Sequence, residues 1–186
     1  NLLNKDFVSE VFKDAKFDAV IHFAGYISMD ESMKNPYVYF QNNVFSPLNI
    51  LEEMVKTKTG NFIFSSTAGV YGNPIKIPIP ENHPKNPENP YGESKLMVEK
   101  LMAWYQKTYK LNSFALRYFN AAGASIDGKL GEEHDPETHI IPNIMKAILG
   151  EKSFQLFGTD YDTKDGTCIR DYIHVLDLAE AHVLAI

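Results

Sequence analysis

Three short apolar runs, separated by segments of helical period, constrain this chain more than any other feature. Ala19-Val20-Ile21-His22-Phe23-Ala24 is nearly unbroken and stops at Gly25, Asn61-Phe62-Ile63-Phe64-Ser65-Ser66 is the second, and residues 113–119 form the third. Runs this short predict strands, the first of them buried on both faces. Between them the period lengthens. Tyr39, Phe40, Val44, Leu48, Leu51 and Val55 mark a helix over 36–56, which Pro47 is expected to kink. Pro90 opens another, through Ser94, Val98, Leu101, Met102 and Tyr105 to about residue 110. Ahead of the first strand, Phe7, Val8, Val11 and Phe12 recur at helical spacing behind a capping Asn4. Strand, helix, strand, helix, strand with buried strands is the pattern of an α/β fold, a parallel sheet covered by helices.

Outside that frame the reading is coarser. Residues 72–90 are rich in Pro and Asn and form a long loop. Residues 121–138 are expected as loop, 140–149 as a short helix, 154–171 as a mixed Gly/Asp-rich segment, 169–175 as a strand, and 178–186 as the start of a helix. At 186 residues the chain can hold one domain, or one and part of a second. It opens on Asn1 rather than Met, from which it is expected to be a piece of something longer.

Composition narrows the function classes. Eighteen basic against 24 acidic side chains leave a net charge of −6, and no Lys/Arg cluster forms the basic face that nucleic acid requires. No apolar run approaches the ~18 residues of a membrane span. A single cysteine, Cys168, closes no disulfide within the chain, and a reducing, cytoplasmic location is expected. Asp160, Asp162 and Asp165 miss the calcium-loop spacing, and the six histidines do not fall into ligand spacing with Cys168, so no metal is expected.

In open parallel sheets ligands bind beyond the carboxyl ends of the strands. Those ends are Phe23-Ala24-Gly25, Ser65-Ser66-Thr67 and Tyr118-Phe119-Asn120. Each alone reads as ordinary turn chemistry; three on one edge make a candidate site. The strongest local signal is Tyr91-Gly92-Glu93-Ser94-Lys95, where Tyr91 and Lys95 share a helix face. An ammonium close to a phenol stabilises the phenolate, so Lys95 is expected to lower the pKa of Tyr91 and make it a general base.

A hydroxyl run, a Pro-rich loop and then Tyr-x-x-x-Lys resemble the Ser/Thr-Tyr-Lys order of the short-chain dehydrogenase/reductase superfamily. Val20 to Gly25, Asn61 to Gly72, Pro90 to Glu99, Leu116 to Asn120 and Asp165 to Val175 narrow the resemblance to its extended sugar-nucleotide branch, and most closely to the UDP-glucose 4-epimerase family. Related 4,6-dehydratases carry an Asp-Glu pair where this chain has Ala68-Gly69, so elimination would lack its acid and base. The resemblance implies a Rossmann-like, doubly wound parallel sheet, with an incomplete NAD-binding domain over 1–120 and part of a UDP-sugar-binding region over 121–186. It implies interconversion of UDP-galactose and UDP-glucose through transient oxidation by NAD to a 4-keto sugar. UDP-N-acetylglucosamine 4-epimerase activity and a non-catalytic dinucleotide-fold module remain as alternatives.

The resemblance assigns residues as well. Tyr91 would take the 4-hydroxyl proton, Thr67 would hydrogen-bond the 4-oxygen, and Lys95 would hold the nicotinamide ribose. Phe23, Ala24 and Gly25 would line the cofactor groove, Asn42 and Ser65 would approach the nicotinamide half, and Tyr118 would pack near the ring. Asn120 and Arg170 match diphosphate-binding positions, and Ile140, Gln155 and Phe157 match the uracil and ribose pocket. His139 stands where several relatives have Asn on the substrate phosphates, Ile27 where some have Lys, and Asn1 where Asp usually meets adenine. A homodimer pairing through the helices over 36–56 and 90–110 is implied. The glycine fingerprint that seats a pyrophosphate is not found in these residues, so two βαβ steps of ~30 residues each are expected before Asn1.

Overall fold

Phe62, Ile63 and Phe64 are the most enclosed stretch of the chain, and the first of its two units is built around them. A computed structural model describes all residues, 1–186, as one unit of Asn1–Tyr118 with His182–Ile186 and another of Phe119–Ala181.

The first unit holds helix α1 (Lys5–Asp14), strand β1 (Ala19–His22), helices α2 (Met29–Lys34) and α3 (Pro36–Thr57), strand β2 (Asn61–Ser65), a 3-10 turn (Ala68–Tyr71), helix α4 (Pro90–Tyr109) and strand β3 (Asn112–Leu116). The strands form a parallel sheet in the order β1-β2-β3, with Ile21 paired to Ile63 and Ile63 to Phe114. Val8 and Phe12 of α1, Ile50, Leu51 and Met54 of α3, and Val98, Met102 and Tyr105 of α4 close on Phe62 and Phe64 to make the core. Each aromatic buried this fully contributes roughly 1.5–3 kcal/mol over its exposed form. The helices begin where the sequence places stops and caps. Asn4 accepts a bond from Phe7 N–H at 3.1 Å, and Asn89 accepts one from Gly92 N–H at 2.8 Å with Pro90 at the first helical position.

The second unit pairs β4 (Asn120–Ala122) with β5 (Tyr172–His174) in parallel and carries α5 (Ile140–Ile148). Helix α6 (Val175–Leu184) begins there, and its residues from His182 onward belong to the first unit. No helix is long and apolar enough to cross a membrane.

Several expectations are corrected. β1 ends at His22, and Ala19, Val20 and Ile21 are half-buried rather than buried on both faces, because β1 is an edge strand of this sheet. Helix α2 is additional: a turn with no apolar period, capped by Ser28, which accepts from Glu31 N–H at 3.2 Å. The third run stops at Leu116, and Ala121 and Ala122, expected as loop, belong with Asn120 to β4.

Candidate active site

The carboxyl end of β2 leads directly into Ser66 and Thr67, and the backbone on either side of Thr67 is tied to the end of β3 and the segment after it. Ser66 N–H donates to Leu116 C=O at 3.0 Å, and Ala68 N–H donates to Tyr118 C=O at 3.0 Å. Thr67 caps the 3-10 turn, its hydroxyl oxygen accepting from Gly69 N–H at 3.0 Å. Helix α4 presses its first turn onto that turn, which Gly92 permits: a Cβ there would lie 2.9 Å from Gly69 O. The approach sets the first turn of α4, with Tyr91, against the turn that Thr67 caps, and the Thr67 hydroxyl favours the ionised form of the phenol.

One helical turn on, Lys95 is buried and donates to Ser65 C=O at 2.8 Å, with its ammonium 4.8 Å from the Phe64 ring centre and 5.9 Å from that of Tyr91. Burial pulls Lys95 down to about 8. The expected electrostatics of Tyr91 are therefore corrected: the ammonium is turned to the Ser65 carbonyl, and burial raises the phenol above its ordinary value. The Thr67 hydroxyl acts downward, and nearby Tyr118 adds to the rise. His22, enclosed by Phe62 and Phe64, is lowered to about 4, first by burial and then by the charge of Lys95.

Of the other cofactor-side residues, Ser65 Oγ hydrogen-bonds the Tyr118 hydroxyl. Gly25 is a cradle, since a Cβ there would lie 3.2 Å from Asn43 Oδ1 and 3.6 Å from Lys95 Nζ. Phe23 and Ala24 are exposed, and the Phe23 ring centre lies 4.6 Å from that of His182. Asn42 is half-buried and donates to Asn43 Oδ1 at 3.1 Å.

In the second unit, Asn120 Nδ2 donates to Asp171 C=O at 2.7 Å, which places Arg170 beside the β4–β5 pair. Arg170 is exposed and donates to Ile169 C=O at 3.0 Å. Ile140, Gln155 and Phe157 are exposed, so the residues expected around uracil and ribose do not form an enclosed pocket. His139 precedes α5 with its Nδ1 2.9 Å from Glu132 and 3.1 Å from Glu137. His134 joins them, and these four side chains offer metal-ligating atoms within 4.8 Å of one another. The spacing Glu-x-His-x-x-Glu-x-His is the signal in the sequence, and weighing the histidines against Cys168 rather than against carboxylates misses it.

The comparisons with known proteins agree on one group. The model of the "NAD dependent epimerase/dehydratase family" matches residues 1–186. The chain belongs to that family. Among relatives of this epimerase/dehydratase chain, the UDP-glucose 4-epimerase of Lactobacillus helveticus is 53% identical over 180 residues, covering 96% of this chain and 54% of the relative. The crystal structure of UDP-glucose 4-epimerase from Brucella ovis in complex with NAD superposes with a TM-score of 0.94 at 49% identity, covering 100% of this chain and 57% of that one. The Bifidobacterium longum enzyme, in complex with NAD+ and UDP, gives 0.92 at 41%, covering 98% and 56%. The chain thus spans about half the length of the relatives it matches. These superpositions establish the Rossmann-like α/β sheet.

Two residues of this epimerase/dehydratase site escape sequence reading. Asn43 is buried in α3, takes hydrogen bonds from Tyr26 N–H (2.8 Å) and Asn42, and gives them to Tyr26 C=O (3.0 Å) and Ser94 (3.2 Å). Its signal is an Asn, a weak helix former, at a core-facing helical position. Glu99 is visible as the next member of the Tyr91, Lys95 spacing.

Proposed function

We propose that the protein is a UDP-glucose 4-epimerase that interconverts UDP-galactose and UDP-glucose. The observation that carries this reading is the grouping of Thr67, Tyr91 and a buried Lys95, bonded to Ser65 C=O, at the carboxyl end of a parallel sheet. Ala68-Gly69 supports epimerisation over dehydration, because no carboxylate follows Thr67 to serve the neighbouring carbons.

The residues present fit NAD. The cradle at Gly25, beside the buried Lys95, admits the close approach of a flat ligand. Phe23, Ala24, Gly25, Asn42, Ser65, Tyr118, Tyr91 and Lys95 would hold it. Bound NAD would supply the acceptor, and then the donor, of the carbon-4 hydride. Tyr91 takes the proton of the 4-hydroxyl as the sugar becomes the 4-keto form and returns it once hydride has come back on the other face. Thr67 stabilises the phenolate by its hydrogen bond and orients the sugar 4-oxygen. Lys95, with an ammonium lowered to about 8, hydrogen-bonds the ribose and adds positive charge below that pH.

In this reading residues 1–120 belong to the NAD-binding domain and 121–186 to the UDP-sugar-binding region. Asn120, His139 and Arg170 serve the diphosphate and Ile140, Gln155 and Phe157 the uridine, with Arg170 free to pair two phosphate oxygens through its planar fork. A homodimer through α3 and α4 is supported by exposed Tyr37, Phe45, Trp104 and Tyr109, and a cytoplasmic location by the lone, exposed thiol of Cys168.

The test is an assay of the full-length protein with UDP-galactose and with UDP-N-acetylgalactosamine. Formation of UDP-glucose from the former is expected; conversion of neither overturns the reading.

A further inference from the structure

We propose that Glu99 and Arg117 form a buried positioning pair that holds the loop after β2, and with it Thr67, against Tyr91. The inference rests on the function proposed above. Helix α4 presents Tyr91, Lys95 and Glu99 at successive i, i+4 positions, so all three lie on one face. The Glu99 side chain is only 7% exposed. A carboxylate this enclosed is strongly unfavourable unless it is paired and hydrogen-bonded.

Its partners are specific. Arg117 grips both carboxylate oxygens with one edge of the guanidinium, Nε donating to Oε1 at 2.8 Å and Nη2 to Oε2 at 2.7 Å. Ser66 Oγ donates to Oε1 at 2.7 Å. Lys85 stands farther off, 3.7 Å from Oε2. The remaining Arg117 nitrogen donates to the Tyr71 hydroxyl at 2.8 Å and to Glu81 C=O at 3.2 Å. One charge pair thereby ties together α4, the end of β3, the exit of β2, the 3-10 turn and the long loop before α4.

Thr67 lies in the middle of this frame. Ser66 on one side is held by Glu99 and by Leu116 C=O, and Ala68 on the other by Tyr118 C=O. With both neighbours pinned, Thr67 is held in place beside the first turn of α4. Its hydroxyl is the influence that opposes the effect of burial on the Tyr91 phenol. The other titratable groups around Tyr91 are Lys95 on its own helix, Tyr118 beyond β3 and, next to Lys95, His22 on β1. None of them touches Glu99 or Arg117 by hydrogen bond or ion pair; Lys95 and Tyr118 both hold Ser65, next to Ser66, and the double variant with Thr67→Val separates that route from the one through Thr67.

The test uses Glu99→Gln, Ser66→Ala, Thr67→Val and the Glu99→Gln/Thr67→Val double variant of the full-length protein. Ser66→Ala cuts only the link from the pair to the loop and keeps the ion pair intact, should Glu99→Gln fail to fold. Expected are a fall in kcat of about 10- to 100-fold for Glu99→Gln and about threefold to tenfold for Ser66→Ala, of the size of a charge-assisted and an ordinary hydrogen bond. KM for UDP-galactose should change by less than about twofold, as for an interaction that matters in the transition state. The rising limb of the pH–rate profile should move to higher pH, as in Thr67→Val, and the double variant should move no further than Thr67→Val alone. Ultraviolet difference titration against Tyr91→Phe follows the same ionisation without turnover, so the pair can be judged even if the protein fails to epimerise. A variant that loses thermal stability but keeps the wild-type Tyr91 titration and pH profile would make the pair merely structural and overturn the proposal.

Discussion

The exit of β2 and the segment before α5 both gather polar side chains, yet they are built in opposite ways. At β2, Ser65, Ser66, Thr67, Lys95 and Glu99 are enclosed, and each has a partner at hydrogen-bond distance. In the second unit His139, Gln155, Phe157 and Arg170 are exposed, and Phe157 is 84% open. The physical reason is the cost of misplacement. Groups that move protons must stand in fixed geometry before the substrate arrives, and a low-dielectric interior both fixes them and strengthens their interactions. Groups that recognise a charged, flexible diphosphate can remain in water and be ordered by binding.

The comparison can be broken by substitution, because the enclosed region should respond in kcat and stability and the exposed one in KM. The largest effect belongs to Tyr91→Phe, which removes the proton carrier; kcat should fall by about 10²- to 10⁴-fold, the usual scale for a general acid–base group. NAD binding that also disappeared, measured by cofactor fluorescence, would argue against so local a role. Next, Arg170→Ala should raise KM for UDP-galactose by about 10- to 100-fold, as expected for a lost charge-assisted bond, with the melting temperature unchanged. A fall in kcat with KM constant would move Arg170 from recognition into the chemistry.

The third effect is on stability. His22 is held at about 4 against an ordinary 6.5, so between those values the unfolded chain takes up a proton that the folded chain refuses. Stability is therefore intact above pH 6.5 and lost as pH falls toward 4, by about 2 kcal/mol at pH 5. Urea titrations at pH 7 and pH 5 measure it, and His22→Phe should flatten the difference. The smallest effect is the sharpest contrast: Phe157→Ala should change stability by less than about 0.5 kcal/mol, whereas Phe62→Ala in the core should cost about 3–5 kcal/mol.

Much of the first unit is legible before folding. The runs around Val20, Ile63 and Phe114 pair as parallel strands, and Asn4, Pro36 and Pro90 start their helices where their chemistry indicates. Helix α2 and strand β4 are not legible, since a single capped turn and a three-residue strand carry too few residues to show a period. Within the site, Thr67, Tyr91 and Lys95 can be picked out as residue types in order, whereas Asn43, Glu99 and Arg117 matter through partners distant in sequence.

The sequence by itself determined which groups are available: a hydroxyl run, a phenol and an ammonium one helical turn apart, and no carboxylate after Thr67. Only the tertiary structure decided their state. It turned Lys95 to the Ser65 carbonyl, lifted the Tyr91 phenol by burying it, and set Thr67 to oppose that rise. Spacing along a chain fixes which side chains can share a face, but acidity depends on the solvent each group loses and the partner it gains, and both are set by packing.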